Sequence, residues 1–266
     1  MNDARFGDLG ARLASAAVMI VLGAGALWAG GHVFAALAIV LAGLMGWELA
    51  RMMQPGASAA LALAHGVAAA VLVGGLSYLA GGWLAVAGLV AGAALLALGQ
   101  RGERGVFAAY MAMIMLAAHG LIVLRTEYGL IWVLWLILIV IGSDVAGYFA
   151  GRLIGGPKFW PRISPKKTWS GTVAGWVVAV CIGLGFVIST GAPAMLVAVS
   201  VLLALAGQLG DIAESAIKRH KGVKDSSQLI PGHGGVLDRF DALIAVLALA
   251  YLAALAGVLG MLVGAA

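Results

Sequence analysis

Charge is what this chain most conspicuously lacks. Of its 266 residues only 10% are Asp, Glu, Lys or Arg, where a water-soluble domain carries about 25%. That leaves too little polar surface to cover a globule in water, and a 63% hydrophobic content with a mean hydropathy of +1.08 agrees. Cysteine is nearly absent as well. The single Cys181 lies in an apolar run, which excludes a disulfide within one chain and a cysteine-based metal centre. Alternation is missing too: the apolar runs 13–30, 33–47, 57–80, 106–124 and 241–262 are continuous and rich in Ala, Leu and Gly, which argues against membrane strands. No Walker-type glycine loop is present.

What remains is a set of runs near the roughly 20 residues that a helix needs to cross hydrocarbon. The fold class expected is all-α, a polytopic membrane protein with about nine transmembrane helices. Spans are expected near 12–29, 32–50, 58–79, 82–99, 106–124, 129–150, 172–190, 194–217 and 241–262. The 40 glycines suit close helix crossings in lipid, and small-xxx-small spacings recur around Gly43, Gly46 and Trp47 and at Gly147 and Gly151. Residues 1–12 are too polar to open a cleaved signal peptide, so the first span is expected to be retained. His32, His65 and His119, single in apolar spans, read as helix–helix hydrogen bonders. Glu48, ending its span beside Trp47, reads as hydrated at the interface.

The few charges are placed unevenly. With a cytoplasmic N-terminus, Arg5, Arg12, Arg51, Arg101, Arg104 and all ten bases between 152 and 239 lie inside, and only Arg125 lies outside. Residues 152–171 hold Arg152, Lys158, Arg162, Lys166 and Lys167 with no acid, matching the whole net charge of +5. A basic loop at the bilayer surface attracts anionic headgroups or a nucleotide; nucleic acid is not an expected partner, because the charge forms no surface stripe.

The chemistry is concentrated late in the chain. Five acids and five bases fall between 211 and 241. At about 100° per residue, Gln208, Asp211, Glu214, Ser215 and Lys218 share one face of the eighth span. Two acids there would repel each other unless a cation sits between them and other oxygens, since a charge at mid-bilayer costs roughly 3 kcal/mol. Pro231-Gly232 marks a turn, and Gly234-Gly235 leaves backbone that a ligand can approach. Asp238 and Asp241 open the ninth helix. Acids for a hard divalent cation, bases for phosphate oxygens and a bare turn suit nucleotide chemistry.

At these residues the sequence resembles the phosphatidate cytidylyltransferase family. The run Ser215-x-Ile-Lys218-Arg219-x4-Lys224-Asp225-x-Ser227-x2-Ile230-Pro231-x-His233-Gly234-Gly235-Val236-x-Asp238-Arg239-Phe240-Asp241 matches the family signature at each specified position. A second stretch is similar as well: Asp144-x2-Gly147-Tyr148-x2-Gly151-Arg152, then Ser164-Pro165-Lys166-Lys167-Thr168-Trp169-Ser170-Gly171. Here the family usually has Ala at position 147 and Glu at position 170.

The resemblance implies a bacterial inner-membrane enzyme, a homodimer, that uses Mg2+, alone or with a second cation, to join CTP to phosphatidic acid drawn from the membrane lipids. It implies metal binding by Asp211 and Asp238. Asp144 is a further candidate, either as ligand or in support of one. Lys218, Arg219, Lys224 and Arg239 would clamp phosphates, with Arg152, Lys166 and Lys167 closing from the other loop. Ser164, Thr168, Ser215, Gly234 and Gly235 complete the expected substrate contacts, and His233 either donates to a phosphate or supports the turn. Asp225 and Asp241 read as groups that orient nearby bases. Residues 1–128 are expected to be scaffold and dimer contact, and 129–266 to carry the site. The rivals are a CTP-dependent lipid-alcohol kinase and an anionic-lipid transporter; the Asp-Gly-x2-Ala-Arg pattern of CDP-alcohol phosphotransferases is absent.

Overall fold

Long Ala/Leu/Val runs free of proline become helices, because in hydrocarbon each backbone polar group must find its partner within its own segment. The computed structural model describes residues 3–263, with side chains from Gly10 onward. Residues 1–2 and 264–266, the outer ends of the two expected domains, lie outside the described residues, as does the side chain of Arg5. The helices are α1 (Asp3–Ala29), α2 (Gly31–Met53), α3 (Ala59–Leu79), α4 (Gly82–Ala97), α5 (Arg104–Glu127) and α6 (Leu130–Leu153). After them come α7 (Trp169–Thr190), α8 (Met195–His220), α9 (Leu237–Leu255) and α10 (Val258–Val263). Where α1 passes into α2, Gly30 and Gly31 adopt φ of 65° and 50°, a left-handed backbone that other residues resist.

Seven of these helices are long and apolar enough to cross a membrane: α1 from Gly10, then α2, α3, α5, α6, α7 and α8. The protein is thus an all-α, multi-pass membrane protein. The apolar α4 is shorter, at 16 residues. Helix α9 carries Asp238, Arg239 and Asp241 in its first two turns. The expected unbroken ninth span over 241–262 is interrupted, since Gly257 at φ 77° turns the chain between α9 and α10. A hairpin appears where no strand was anticipated: β1 (Lys158–Trp160) pairs antiparallel with β2 (Ser164–Thr168). It sits in the polar stretch between spans, where an apolar-run reading has nothing to detect.

The chain divides into two compact units, Met1–Ile122 with Lys221–Phe240, and Val123–His220 with Asp241–Ala266. The loop bearing much of the signature therefore belongs with the N-terminal helices. In the first unit α2 packs on α3 through glycine. A Cβ on Gly66 would lie 2.6 Å from the Gly43 carbonyl oxygen, and one on Gly46 would lie 3.1 Å from Ala69 Cβ. The three span histidines behave as anticipated. His32 Nδ1 meets Tyr78 Oη at 3.0 Å, His65 Nε2 meets the Leu96 carbonyl at 3.1 Å, and His119 Nδ1 meets Ser77 Oγ at 2.8 Å.

In the second unit α7 packs against both α6 and α8. A Cβ on Gly171 would lie 2.5 Å from the Gly147 carbonyl oxygen, so α6 and α7 touch backbone to backbone. Further along, Trp135 Nε1 of α6 donates to Ser200 Oγ of α8 at 3.0 Å. These contacts fix the separation of the three helices whose ends form the cavity described next.

Candidate active site

The second unit holds a cavity of about 440 Å³ among α6, β2, α7 and α8. Asp144, Tyr148 and Arg152 line it from α6, Lys166 and Lys167 from β2, and Gln208 and Asp211 from α8. The hairpin delivers the lysines because both its ends are tied down. Thr168 Oγ1 accepts from Gly171 N at 3.2 Å and so caps α7, while Trp169 N donates to the Pro157 carbonyl at 3.0 Å. Ser170, where the family usually has Glu, donates to the Gly155 carbonyl and meets Thr168 Oγ1, so it too secures the base of the hairpin.

Lys167 Nζ lies 2.6 Å from Asp211 Oδ2 and 3.3 Å from the Gln208 carbonyl. Ser215 Oγ donates to Asp211 Oδ1 at 3.2 Å, so Ser215 orients the carboxylate one turn away. Gln208 is fixed from both sides: its Oε1 accepts from Trp176 Nε1 at 3.0 Å, and its Nε2 donates to the Thr172 carbonyl at 3.2 Å. Asp144 feels the charges of both Asp211 and Lys167. Arg152 reaches back to Tyr148 Oη at 2.8 Å. Ser164 stands at the far end of β2, opposite Trp160, and does not line the cavity.

The polar face expected on α8 is present, with Gln208, Glu214 and Lys218 buried and Asp211 and Ser215 half-buried. Its charge balance differs from the expectation of one cation shared by two acids. Each acid has its own lysine: Asp211 has Lys167, and the fully buried Glu214 has Lys218 Nζ at 2.8 Å. Asp241, in the same unit, is near Asp211, Glu214 and Lys218, and accepts from its own Ala242 N–H at 2.7 Å. Arg219 is exposed at the end of the helix. Among the described residues no three His, Cys, Asp or Glu side chains form a group that could hold a metal ion. The donors present, Asp211 and Asp144, are hard oxygens suited to Mg2+, and an ammonium already occupies the cation position at Asp211. In donor chemistry these two residues fit such an ion.

In the first unit the signature loop is organised by two buried carboxylates. Asp238 Oδ2 accepts from Ser226 N at 2.9 Å, Ser226 Oγ at 2.9 Å and Gly235 N at 2.8 Å. Glu48, fully buried on α2, accepts from Ser227 Oγ at 2.6 Å, Leu237 N at 2.7 Å, Val236 N at 2.9 Å and Ser226 Oγ at 3.4 Å. Glu48 is therefore not hydrated at an interface, because the loop supplies the donors that water would have supplied, and it caps the start of α9. Sequence reasoning placed this residue in water and gave it no part in the site. The one available signal was an acid set inside an apolar helix, which is costly unless something satisfies it.

Gly234 and Gly235 are bare for the same reason. A Cβ on Gly234, whose φ is 93°, would lie 2.9 Å from Asp238 Oδ2, and one on Gly235 would lie 2.6 Å from Glu48 Oε1. What closes on this backbone is the chain's own carboxylates. His233 supports the turn, its Nδ1 meeting Ser15 Oγ of α1 at 2.9 Å. Lys224 and Arg239 are exposed.

A family model described as the cytidylyltransferase family matches residues 10–256. This chain belongs to the cytidylyltransferase family. The chain is accordingly a nucleotidyltransferase. It is similar to a Brucella suis protein named phosphatidate cytidylyltransferase, with 38% identity over 251 residues that cover 92% of this chain and 93% of that protein. Proteins of the same name from Bacillus subtilis and Staphylococcus aureus match over 128 residues each. The first is 40% identical across 47% of this chain and 48% of its own. The second is 44% identical across 47% of this chain and 49% of its own.

Proposed function

We propose that this member of the family is a phosphatidate cytidylyltransferase. It transfers the CMP moiety of CTP to phosphatidic acid, giving CDP-diacylglycerol and pyrophosphate. A phosphate oxygen of the lipid bonds to the α-phosphorus of CTP, and the bond from that phosphorus to the bridging oxygen of the β-phosphate breaks. Pyrophosphate departs with the electron pair. The nucleophile is already anionic near neutral pH, so the barrier is the approach of two polyanions and no strong base is required. The observation that carries this reading is the Lys167–Asp211 pair, set in a cavity with Arg152, Lys166 and Asp144.

Those three bases offset phosphate charge, Arg152 in bidentate fashion and the lysines as point charges. Asp211, with Asp144 in the same cavity, would hold Mg2+. When bound, that ion would polarise phosphoryl oxygens and stabilise the charge leaving on pyrophosphate. Ser215 keeps the Asp211 carboxylate turned toward the cavity. We assign Asp238, which the resemblance gives to metal, to the loop that its Oδ2 ties together. For orientation, the distribution of bases favours a cytoplasmic N-terminus and site in a bacterial inner membrane.

Label in the α-phosphate of CTP, compared with label in the γ-phosphate, tests the reaction. With phosphatidic acid in detergent, α-label should enter the lipid extract and γ-label should leave as pyrophosphate. Entry of γ-label into lipid would instead make the chain a CTP-dependent kinase.

A further inference from the structure

Between α6 and α7 the chain turns back through the β1–β2 hairpin, and the large exposed side chains of this connection are of two kinds, apolar and basic. Leu153 and Ile154 are 81% and 75% exposed, and Trp160 and Trp169 are exposed as well. Lys158 and Arg162, which the cavity does not use, are exposed between them in sequence. No acid occurs from 152 to 171. Apolar side chains gathered in one short connection differ from the single exposed residues usual on a protein surface, and such patches mark contact with a partner or a membrane.

The geometry of the second unit keeps this connection close to the bilayer. Helices α6 and α7 are both long and apolar enough to span it, and they touch backbone to backbone at Gly147 and Gly171. The hairpin therefore stands where two adjacent spans leave hydrocarbon. Trp169 N donates to the Pro157 carbonyl at 3.0 Å, and the Phe159 ring packs edge-on against the Trp169 ring with centroids 4.7 Å apart, so β1 is fastened to the first turn of α7. From that tie the chain to Arg162 reaches at most about 16 Å. Lys158 is next to the tie, and even Arg162 lies within two Debye lengths, each about 8 Å at physiological salt.

Charge and backbone chemistry select the partner. A Trp ring suits the boundary between hydrocarbon and headgroups, because its body is apolar and its N–H can stay wet. Bases at that level are drawn to anionic headgroups. An added protein strand fits less well: β1 and β2 have only three and five residues, and Pro165 removes a donor from β2.

We propose that the 158–168 hairpin docks on the anionic headgroup layer of the membrane, with Trp160 at the boundary with hydrocarbon and Lys158 and Arg162 against lipid phosphates. The partner is the bulk anionic lipid of the bilayer, and the proposal holds or fails independently of the reaction assigned above. Hydrogen exchange of the whole protein in lipid nanodiscs tests it without turnover. Discs of phosphatidylcholine alone are compared with discs in which about one-third of the lipid is phosphatidylglycerol, an anionic lipid that has no phosphate monoester.

A base near an anionic surface is worth about fivefold in binding. Protection of peptides covering 157–168 should therefore rise about fivefold or more when phosphatidylglycerol is present, and about 0.5 M salt should remove most of the rise. Lys158→Gln combined with Arg162→Gln should bring protection in the anionic discs to within about twofold of the phosphatidylcholine value. Lys158→Arg with Arg162→Lys, which keeps both charges, should retain the wild-type response. Trp160→Ser should lower protection in both kinds of disc, and Trp160→Phe should lower it less. Unaltered exchange within α7 identifies variants that still fold, and the salt series on the wild type needs no variant at all. Equal protection of the wild type in the two kinds of disc would overturn the proposal, as would an undiminished response in the doubly neutralised variant. It would also fall if pyrophosphate protected 157–168 in phosphatidylcholine discs and phosphatidylglycerol did not, since the bases would then serve a soluble polyanion.

Discussion

Replacing Glu48 by alanine removes the acceptor for three close hydrogen bonds, from Ser227 Oγ at 2.6 Å, Leu237 N at 2.7 Å and Val236 N at 2.9 Å. Hydrogen bonds to a charged group are worth about 1.5–3 kcal/mol each. They are not additive, and water entering the space would recover part of the loss. A net cost of about 3–5 kcal/mol is therefore expected, the range for breaking a buried charged contact. That cost falls on the loop rather than on the helices of the second unit. Hydrogen exchange measured peptide by peptide is the suitable assay, because it resolves local opening. Peptides covering 226–237 should lose roughly two to three and a half powers of ten in protection, while those within α6 and α7 stay as in the wild type. In Glu48→Gln the remaining carbonyl can serve Ser227 and Val236, but its amide faces the Leu237 N–H donor to donor, so a smaller loss of about 1.5–3 kcal/mol is expected. Wild-type exchange over 226–237 in Glu48→Ala would refute the reasoning.

Other outcomes follow from the same contacts. Gly235→Ala should uncouple the loop and abolish activity, since its Cβ would lie 2.6 Å from Glu48 Oε1, whereas Gly75→Ala, with nothing within 4 Å, should leave activity and melting temperature unchanged. Lys167→Ala should raise the KM for CTP about tenfold or more. The melting temperature should move little, because the partly exposed ion pair it loses contributes about 1 kcal/mol or less to stability; a variant that melts early with an unchanged KM would contradict this. Chelation by EDTA should stop turnover reversibly, with Mg2+ restoring it, and turnover in EDTA would remove the cation from the account.

Much of this fold could be read in advance, because lipid imposes simple rules. Long apolar runs must be helices, and small-residue spacings such as that of Gly147 and Gly151 mark close crossings. The α8 face of Gln208, Asp211, Glu214 and Lys218 was legible because helical periodicity is a local property. Glu48 was not, since the groups that satisfy it lie 178 to 189 residues away and nothing nearby signals them. Gly234 and Gly235 were recognisable as bare backbone, but not what closes on it. The loop 221–240 joins the N-terminal helices through these same long-range contacts, so a single cut along the sequence could not capture it. The 158–168 hairpin was hidden for a different reason: its strands are short and carry three lysines, and the ties that fix it, from Thr168, Trp169 and Ser170, are turn and cap contacts.

The most direct test is pyrophosphate release by the purified protein given CTP, Mg2+ and increasing phosphatidic acid, with Asp211→Asn measured alongside. Release that rises with the lipid in the wild type, and falls about a thousandfold in a variant still inserted in the membrane, is the predicted result. A variant as fast as the wild type, or a wild type whose release ignores the lipid, would contradict the account.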